Sequence, residues 1–437
     1  MYLDVCAFGT RKRQYISELV ACVDQGIIRL FSHLRHVTEM TDFSSHFQIL
    51  DQWLVRHRRW WQFQPFHHRQ SIWRDETPAL HALLSELSES EILDLSAQPS
   101  RVAQQLAPWI DDALLGVQVE AQLQQKLAQF SVNQHERLHY RVNGRKWQQI
   151  VALAQCVPPT GEIVEWCAGK AHLGRLLAFN GATTTSLEWQ ASLCESAREL
   201  AARVPVDMTL VHCDVLSSDT ASYIRPTTHA VALHACGKLH THLLQKVVAA
   251  GASGVTLAPC CYNLIPDAVY SPLSEAGQVS VLQLSRDDVS LPLKQTVTAG
   301  QREQRQRDQE LAWRLGFDLL QRELRGIDVY LPLPTVPKSL LAGDFQTFCQ
   351  WALARKQLDE VIPSSIRLAE IEQRGCQRRV EVRRMELVQS LFRRPLELWL
   401  LLDMILYLDD AGYDVTTGTF CDYSLTPRNW LIHAVKS

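Results

Sequence analysis

Two spacings divide the chain. Up to about residue 145, apolar positions recur at helical intervals, as in Ile16–Leu34 and Leu80–Ile92, and glycine is scarce. A helical N-terminal domain is predicted over 1–144. From about 146, short β-branched runs alternate with helical stretches. Glu162–Glu165, Thr183–Glu188, Met208–Asp214, Ala230–His234 and Gly254–Ala258 read as strands. His172–Phe179, Ser192–Arg203 and Leu239–Ala250 read as the helices between them. The strands end at 165, 188, 214, 234 and 259, steps of 20 to 26 residues. That is the beat of βα units in a parallel sheet.

The beat breaks over 264–394. This stretch holds a charged helix, Arg302–Arg325, and a helix start at Pro363-Ser364-Ser365. An apolar helix, Leu396–Leu408, follows, and Val415–Cys421 and Trp430–Val435 read as two last strands. The pattern predicts an α/β fold with a seven-stranded, mostly parallel sheet. Residues 145–263 form its first part, 264–394 a helical insertion and 395–437 its end.

Composition adds limits. The 437 residues are 46% hydrophobic and 21% charged, ordinary for a globular chain, and the net charge of −3 excludes a polybasic molecule. The twelve cysteines show no zinc-ribbon or finger spacing and suit free thiols in a reducing compartment. Met1–Arg13 lacks an apolar signal core. The run Leu398–Leu402 is far short of the roughly 20 apolar residues that cross a bilayer. A cytoplasmic location without a membrane partner is expected.

The strongest chemical signal is Glu165-Trp166-Cys167-Ala168-Gly169-Lys170-Ala171-His172-Leu173-Gly174, which follows a strand and opens a helix. Gly169 and Ala171 keep the turn small, and the helix start offers unpaired N–H groups. A Walker loop is excluded because Val164 stands where its first glycine belongs and Ala171 follows Lys170. A dinucleotide fingerprint is excluded because Cys167 takes its first glycine position. Acids also close the strands. Glu165 can reach an amino group, Glu188 two ribose hydroxyls and Asp214 an adenine amino group. The set suits a ligand carrying an ammonium, a ribose and an adenine, as S-adenosylmethionine does.

With His234-Ala235-Cys236-Gly237 and Pro259-Cys260-Cys261-Tyr262-Asn263, this motif resembles a family of Rossmann-like, class I methyltransferases. Its relatives include the glutathione-S-transferase C-terminal-domain-containing protein and the ribosomal-RNA-adenine-dimethylase-domain-containing protein. The likeness covers about 145–263 and extends to Thr426-Pro427-Arg428-Asn429. It implies an S-adenosylmethionine-dependent methyltransferase. Donor contacts would fall on Glu165, Cys167, Gly169, Ala171, Glu188, Trp189, Asp214, Val215 and His234. Ala171 departs from the family's usual glycine.

In a parallel sheet the ends of the fourth and fifth strands are adjacent, so His234, Cys236, Cys260 and Cys261 should cluster at the acceptor side. His234 is a candidate general base or a tautomer-locked structural histidine. Cys260 or Cys261 is a candidate nucleophile or a packed thiol. Tyr262 and Asn263 would shape the acceptor pocket. Adjacent cysteines share one tetrahedral ion with difficulty, so no metal is expected.

Two basic patches bear on the acceptor. Arg56, Arg58, Arg59, Arg69 and Arg74 are interleaved with Trp60, Trp61, Phe63, Phe66 and Trp73, which suits phosphate contact with base stacking on structured RNA. Arg378, Arg379, Arg383, Arg384, Arg393 and Arg394 recur at helical spacing. Both patches have a plain alternative in packed aromatics and solvated helix faces. A protein or small-molecule acceptor, or a binder without turnover, stays open.

Overall fold

Strands β1 (Glu162–Trp166), β2 (Thr183–Glu188), β3 (Met208–His212), β4 (Thr228–Leu233) and β5 (Gly254–Ala258) pair in parallel, and β6 (Tyr413–Thr419) and β7 (Trp430–Lys436) complete a seven-stranded sheet. The structure, a computed structural model, describes residues 42–294, 301–358 and 364–437; the helix expected over Ile16–Leu34 lies outside them. The sheet order is β3-β2-β1-β4-β5-β7-β6, with β7 antiparallel to both its neighbours. The chain reverses direction across the sheet between β1 and β4, so the loops after these strands diverge and leave a crevice at their carboxyl ends. Register places Trp166 beside Leu187 and Leu233 beside Ala258.

Alternate side chains face opposite sides of the pleat. Ile163 and Val231 face a core completed by α6 (Gly144–Ala154) and α7 (His172–Phe179), through Ile150, Leu153, Leu173 and Leu176. Val164, Ala230, Ala232 and Leu257 face a larger core on the other side. Helix α8 (Ala191–Ala201) follows β2, and α9 (Lys238–Ala250) follows β4.

The larger core corrects the expected domain layout. It joins the sheet to α1 (Phe43–Arg56), α2 (Pro78–Glu86), α3 (Glu89–Ser96), α4 (Pro99–Leu106) and α5 (Leu115–Leu123), so the described helices before residue 144 are no separate domain. The single helix expected over Leu80–Ile92 is two. Ser88 accepts from Glu91 N–H (3.3 Å) while the Glu91 carboxylate accepts from Ser88 N–H (2.8 Å), and this reciprocal cap starts α3 anew.

The boundary expected at 394/395 falls inside one helix. After α10 (Gln301–Arg325) and α11 (Phe345–Arg355), α12 runs unbroken from Ser365 to Asp410. Pro395 sits within it and removes one helical donor. Its ring lies where a side chain at Gly116 would be: a Cβ there would meet Pro395 Cγ at 2.6 Å. Among the described residues, no helix is long and apolar enough to cross a membrane.

Helices α10 and α12 cross at two glycines. A Cβ on Gly375 would stand 2.6 Å from the Ala312 carbonyl oxygen and 2.8 Å from Gly316 N. Both obstacles are backbone, so the helices would have to separate. Asp318, fully buried nearby, accepts from Arg322 (2.9 Å) and Arg378 (2.5 Å). Gly375→Ala is therefore expected to cost about 1–3 kcal/mol, the usual range for overpacking. Denaturant unfolding of variant and parent measures it; unchanged stability would refute the tight crossing.

Candidate active site

The β1–α7 turn is tightly wound. Cys167 (φ 57°), Gly169 (φ 59°) and Ala171 (φ 50°) are all left-handed. Two of them carry a Cβ in this region, a strain that concentrates at functional turns. The backbone is tied by Ala168 N–H to the Leu187 carbonyl (2.9 Å) and by Ala171 N–H to that of Ala168 (2.8 Å). No atom lies within 4 Å of where a Gly169 Cβ would be, so the turn opens onto free space.

Glu188 holds this turn from the tip of β2. Its carboxylate accepts from Gly169 N–H (2.8 Å) and Gln190 N–H (2.9 Å), one on each oxygen. Each oxygen keeps a second lone pair for a ligand. Beside it lies a cavity of about 260 Å³, lined by Cys167, Glu188, Trp189, Asp214 and Val215, with Leu187, Leu216 and Leu239. Asp214, in the loop after β3, accepts from Leu216 N–H at 2.9 Å. Trp189 is 66% exposed, a flat apolar surface at the rim.

Glu165 departs from expectation. It does not line the cavity. Its side chain is buried beneath the turn and accepts from Ser186 Oγ at 2.6 Å. Gly174 makes this possible, since a Cβ there would stand 2.5 Å from both Glu165 Oε2 and Ser186 Oγ. Burial pushes the Glu165 carboxyl up to about 7, against the pull of Ser186, Arg175 and Lys146. Two of the three acids expected around one cavity are therefore there. Behind Glu165, buried Arg175 donates to His172 Nδ1 (2.7 Å) and the Leu138 carbonyl (2.9 Å), a cluster that helical spacing alone did not reveal.

The ends of β4 and β5 do meet. His234 is left-handed (φ 67°), and desolvation, aided by Lys146, lowers its basicity. Cys236 Sγ lies 3.0 Å from Cys260 Sγ. The sulfurs of Cys236, Cys260 and Cys261 all lie within 4.8 Å of one another. Thiol hydrogen bonds from Cys236 and Cys260 favour the Cys261 thiolate, with Arg428 adding its charge, while buried Cys260 is held as the thiol. Tyr262 is another correction. Its ring is buried edge-on against His240 (5.8 Å) rather than facing an open pocket. Asn263 sits half-buried in the following turn.

Both basic patches are built into the fold. Trp60, Trp61 and Trp73 are buried core residues and offer no face to a base. Arg56 pairs with Asp111 (2.9 Å) and Arg69 with Asp328 (3.2 Å). Arg58 donates to the Val281 carbonyl, and Arg59 covers the Trp60 ring. In the second patch Arg378 pairs with Asp318, Arg379 with Glu89, Arg383 with Asp308, Arg384 with Glu381 and Arg394 with Glu120. Arg393 is desolvated beside Glu386.

The strand order is that of a class I, Rossmann-like sheet, and residues 145–268 match a family model described as a methyltransferase domain. A glutathione S-transferase C-terminal domain-containing protein homolog from Drosophila melanogaster is 30% identical over 209 residues, 46% of this chain and 32% of that protein. The chain thus matches about a third of that relative's length. Two solved structures overlap more shallowly. An rRNA methylase from Streptococcus thermophilus is 11% identical, with a TM-score of 0.22 over 28% of this chain and 72% of its own. A glycopeptide N-methyltransferase complexed with S-adenosyl-L-methionine is 19% identical, with a TM-score of 0.21 over 27% and 55%.

Glu165 makes stability depend on pH. Its folded value of about 7 exceeds the ordinary 4.5, so the folded state holds the proton more tightly. That contribution is complete below pH 4.5 and is lost as pH rises through 7. Glu165→Gln, which still accepts from Ser186, should flatten this decline. Unfolding free energies measured across the window check it; equal slopes in both proteins would refute a protonated Glu165.

Proposed function

We propose that the protein is an S-adenosylmethionine-dependent methyltransferase whose donor occupies the cavity above the Cys167–Ala171 turn. One observation carries this reading: Glu188, at the tip of β2, and Asp214, just beyond β3, line the same cavity beside that turn. Glu188 is fixed by two backbone donors and suits a pair of ribose hydroxyls. Asp214 would suit an adenine amino group, and Val215 and Trp189, which line the same cavity, would offer apolar contact to the ring. The open backbone at Gly169 leaves room for the donor's amino-acid end.

The donor brings its own leaving group, the sulfonium. The protein must align the acceptor, exclude water and, where needed, take up a proton. His234, at the end of β4, suits proton uptake because its lowered basicity leaves the ring neutral near pH 7. If a cysteine attacks the acceptor, Cys261 fits better than Cys260, whose buried thiol resists ionisation. An RNA acceptor held by Arg56, Arg58, Arg59 and Arg69 is the finer reading. It now asks those side chains to leave or share contacts within the chain, and the fold alone names no acceptor.

Isothermal titration tests the donor site. Glu188→Ala and Asp214→Ala should each weaken S-adenosylmethionine or S-adenosylhomocysteine binding by roughly 10- to 150-fold, the worth of one lost charge-assisted contact. Undiminished affinity in both variants would refute the assignment. Tritiated S-adenosylmethionine added to cell extract, followed by separate RNase and protease digestion, identifies the acceptor. Label released by RNase supports RNA; label released by protease replaces it with a protein. Binding without any transferred label would mark a non-catalytic binder.

A further inference from the structure

The three sulfurs at the ends of β4 and β5 form the tightest group of metal-ligating side chains among the described residues. We propose that Cys236, Cys260 and Cys261 bind one thiophilic divalent cation, zinc by fit, as three thiolates with a fourth position left open. This proposal is independent of the donor site.

Geometry supports it. A zinc–sulfur bond of about 2.3 Å in a tetrahedron separates its sulfurs by about 3.8 Å. Here Cys236 Sγ and Cys260 Sγ are 3.0 Å apart and all three sulfurs lie within 4.8 Å, so small rotations about the side-chain torsions bring them to that spacing. The adjacency of Cys260 and Cys261 is no obstacle here, because the turn after β5 directs both sulfurs to Cys236 although one residue is buried and the other half-exposed. A Cys236–Cys260 disulfide would need an S–S bond near 2.05 Å and would leave Cys261 unused.

The site is held in place. Lys238 N–H donates to the Leu264 carbonyl at 2.9 Å, and a Cβ on Gly237 would collide with that same carbonyl. The loop carrying Cys236 is thus tied to the loop carrying Cys260 and Cys261. Three thiolates around a divalent ion leave one net negative charge. Among the described residues, no fourth His, Cys, Asp or Glu joins the cluster. Three protein ligands with a vacant position is the arrangement of reactive rather than purely structural zinc. Each sulfur binds as the thiolate, and any proton it carried passes to solvent as its S–Zn bond forms. The vacant position would take water or the heteroatom of an acceptor.

Metal analysis of the full chain, expressed with added zinc and dialysed without a chelator, tests this. The parent should retain about one zinc per chain, and Cys236→Ser, Cys260→Ser and Cys261→Ser each below about a tenth of that. Cys376→Ser, altering an exposed thiol on α12, should retain it. Circular dichroism separates metal loss from unfolding. Should a serine variant unfold, cobalt added to the metal-free parent gives the second readout, an intense thiolate-to-cobalt band with tetrahedral visible bands. A parent with no zinc and no cobalt band overturns the proposal, as does a Cys236–Cys260 disulfide found by alkylation and mass spectrometry. S-adenosylmethionine titration of metal-free protein reports the donor site separately.

Discussion

A helix with no solvent-facing side cannot stand alone in water, and α12 is such a helix over residues 395–406. Leu396, Leu398, Trp399, Leu400, Leu401, Leu402, Met404 and Ile405 are all fully buried, which leaves no solvent face. Sheet, N-terminal helices and connecting segments must close around it. Each such side chain contributes on the order of 1.5–3 kcal/mol through burial. Polar groups in this environment are matched closely. Asp403, mid-helix, accepts from Tyr270 Oη (2.8 Å), Ser274 Oγ (2.7 Å) and the backbone N–H groups of Leu273 and Ser274. It anchors the segment that leads away from the Cys260–Asn263 loop. Trp399 Nε1 donates to Asp51 (2.9 Å) and fixes α1 against the same helix.

The candidate site inherits its order from that scaffold. Helices on both sides hold the sheet, and the sheet holds the strand tips. The strained residues Cys167, Ala171 and His234 all stand at the ends of β1 and β4, where the topology parts the loops. Rigid surroundings sustain such backbone, and a turn so held presents its N–H groups and carboxylate in a fixed arrangement. Glu188 joins both halves of this design, since the carboxylate that accepts from Gly169 N–H also lines the cavity.

The arginine-rich stretches have a different logic. Along the chain they resemble an electrostatic footprint for RNA. In the fold, most act as struts between helices, capping carbonyls and neutralising acids. Arg378 is the clearest case: it joins Asp318 to the carbonyls of Phe66 and His68, across 310 residues of chain between Arg378 and His68. An arginine held by buried acids and carbonyls is not free to exchange counterions with a polyanion.

What the chain determined by itself is local and periodic. Thr183–Glu188, Gly254–Ala258 and His172–Phe179 fall where their spacing placed them, because alternation and apolar runs reflect burial on a pleat or a helix face. Glu188 and Asp214 were legible at the strand tips for the same reason, and so was the small-residue turn. Only the tertiary structure decided where side chains point and what faces them. Glu165 turned under the helix because Gly174 left room. Tyr262 entered the core, the tryptophans of the first patch packed inward, and α12 ran through an expected boundary. The meeting of three sulfurs also required the register of β4 against β5. These outcomes depend on contacts between residues far apart in sequence, which no periodicity along the chain encodes.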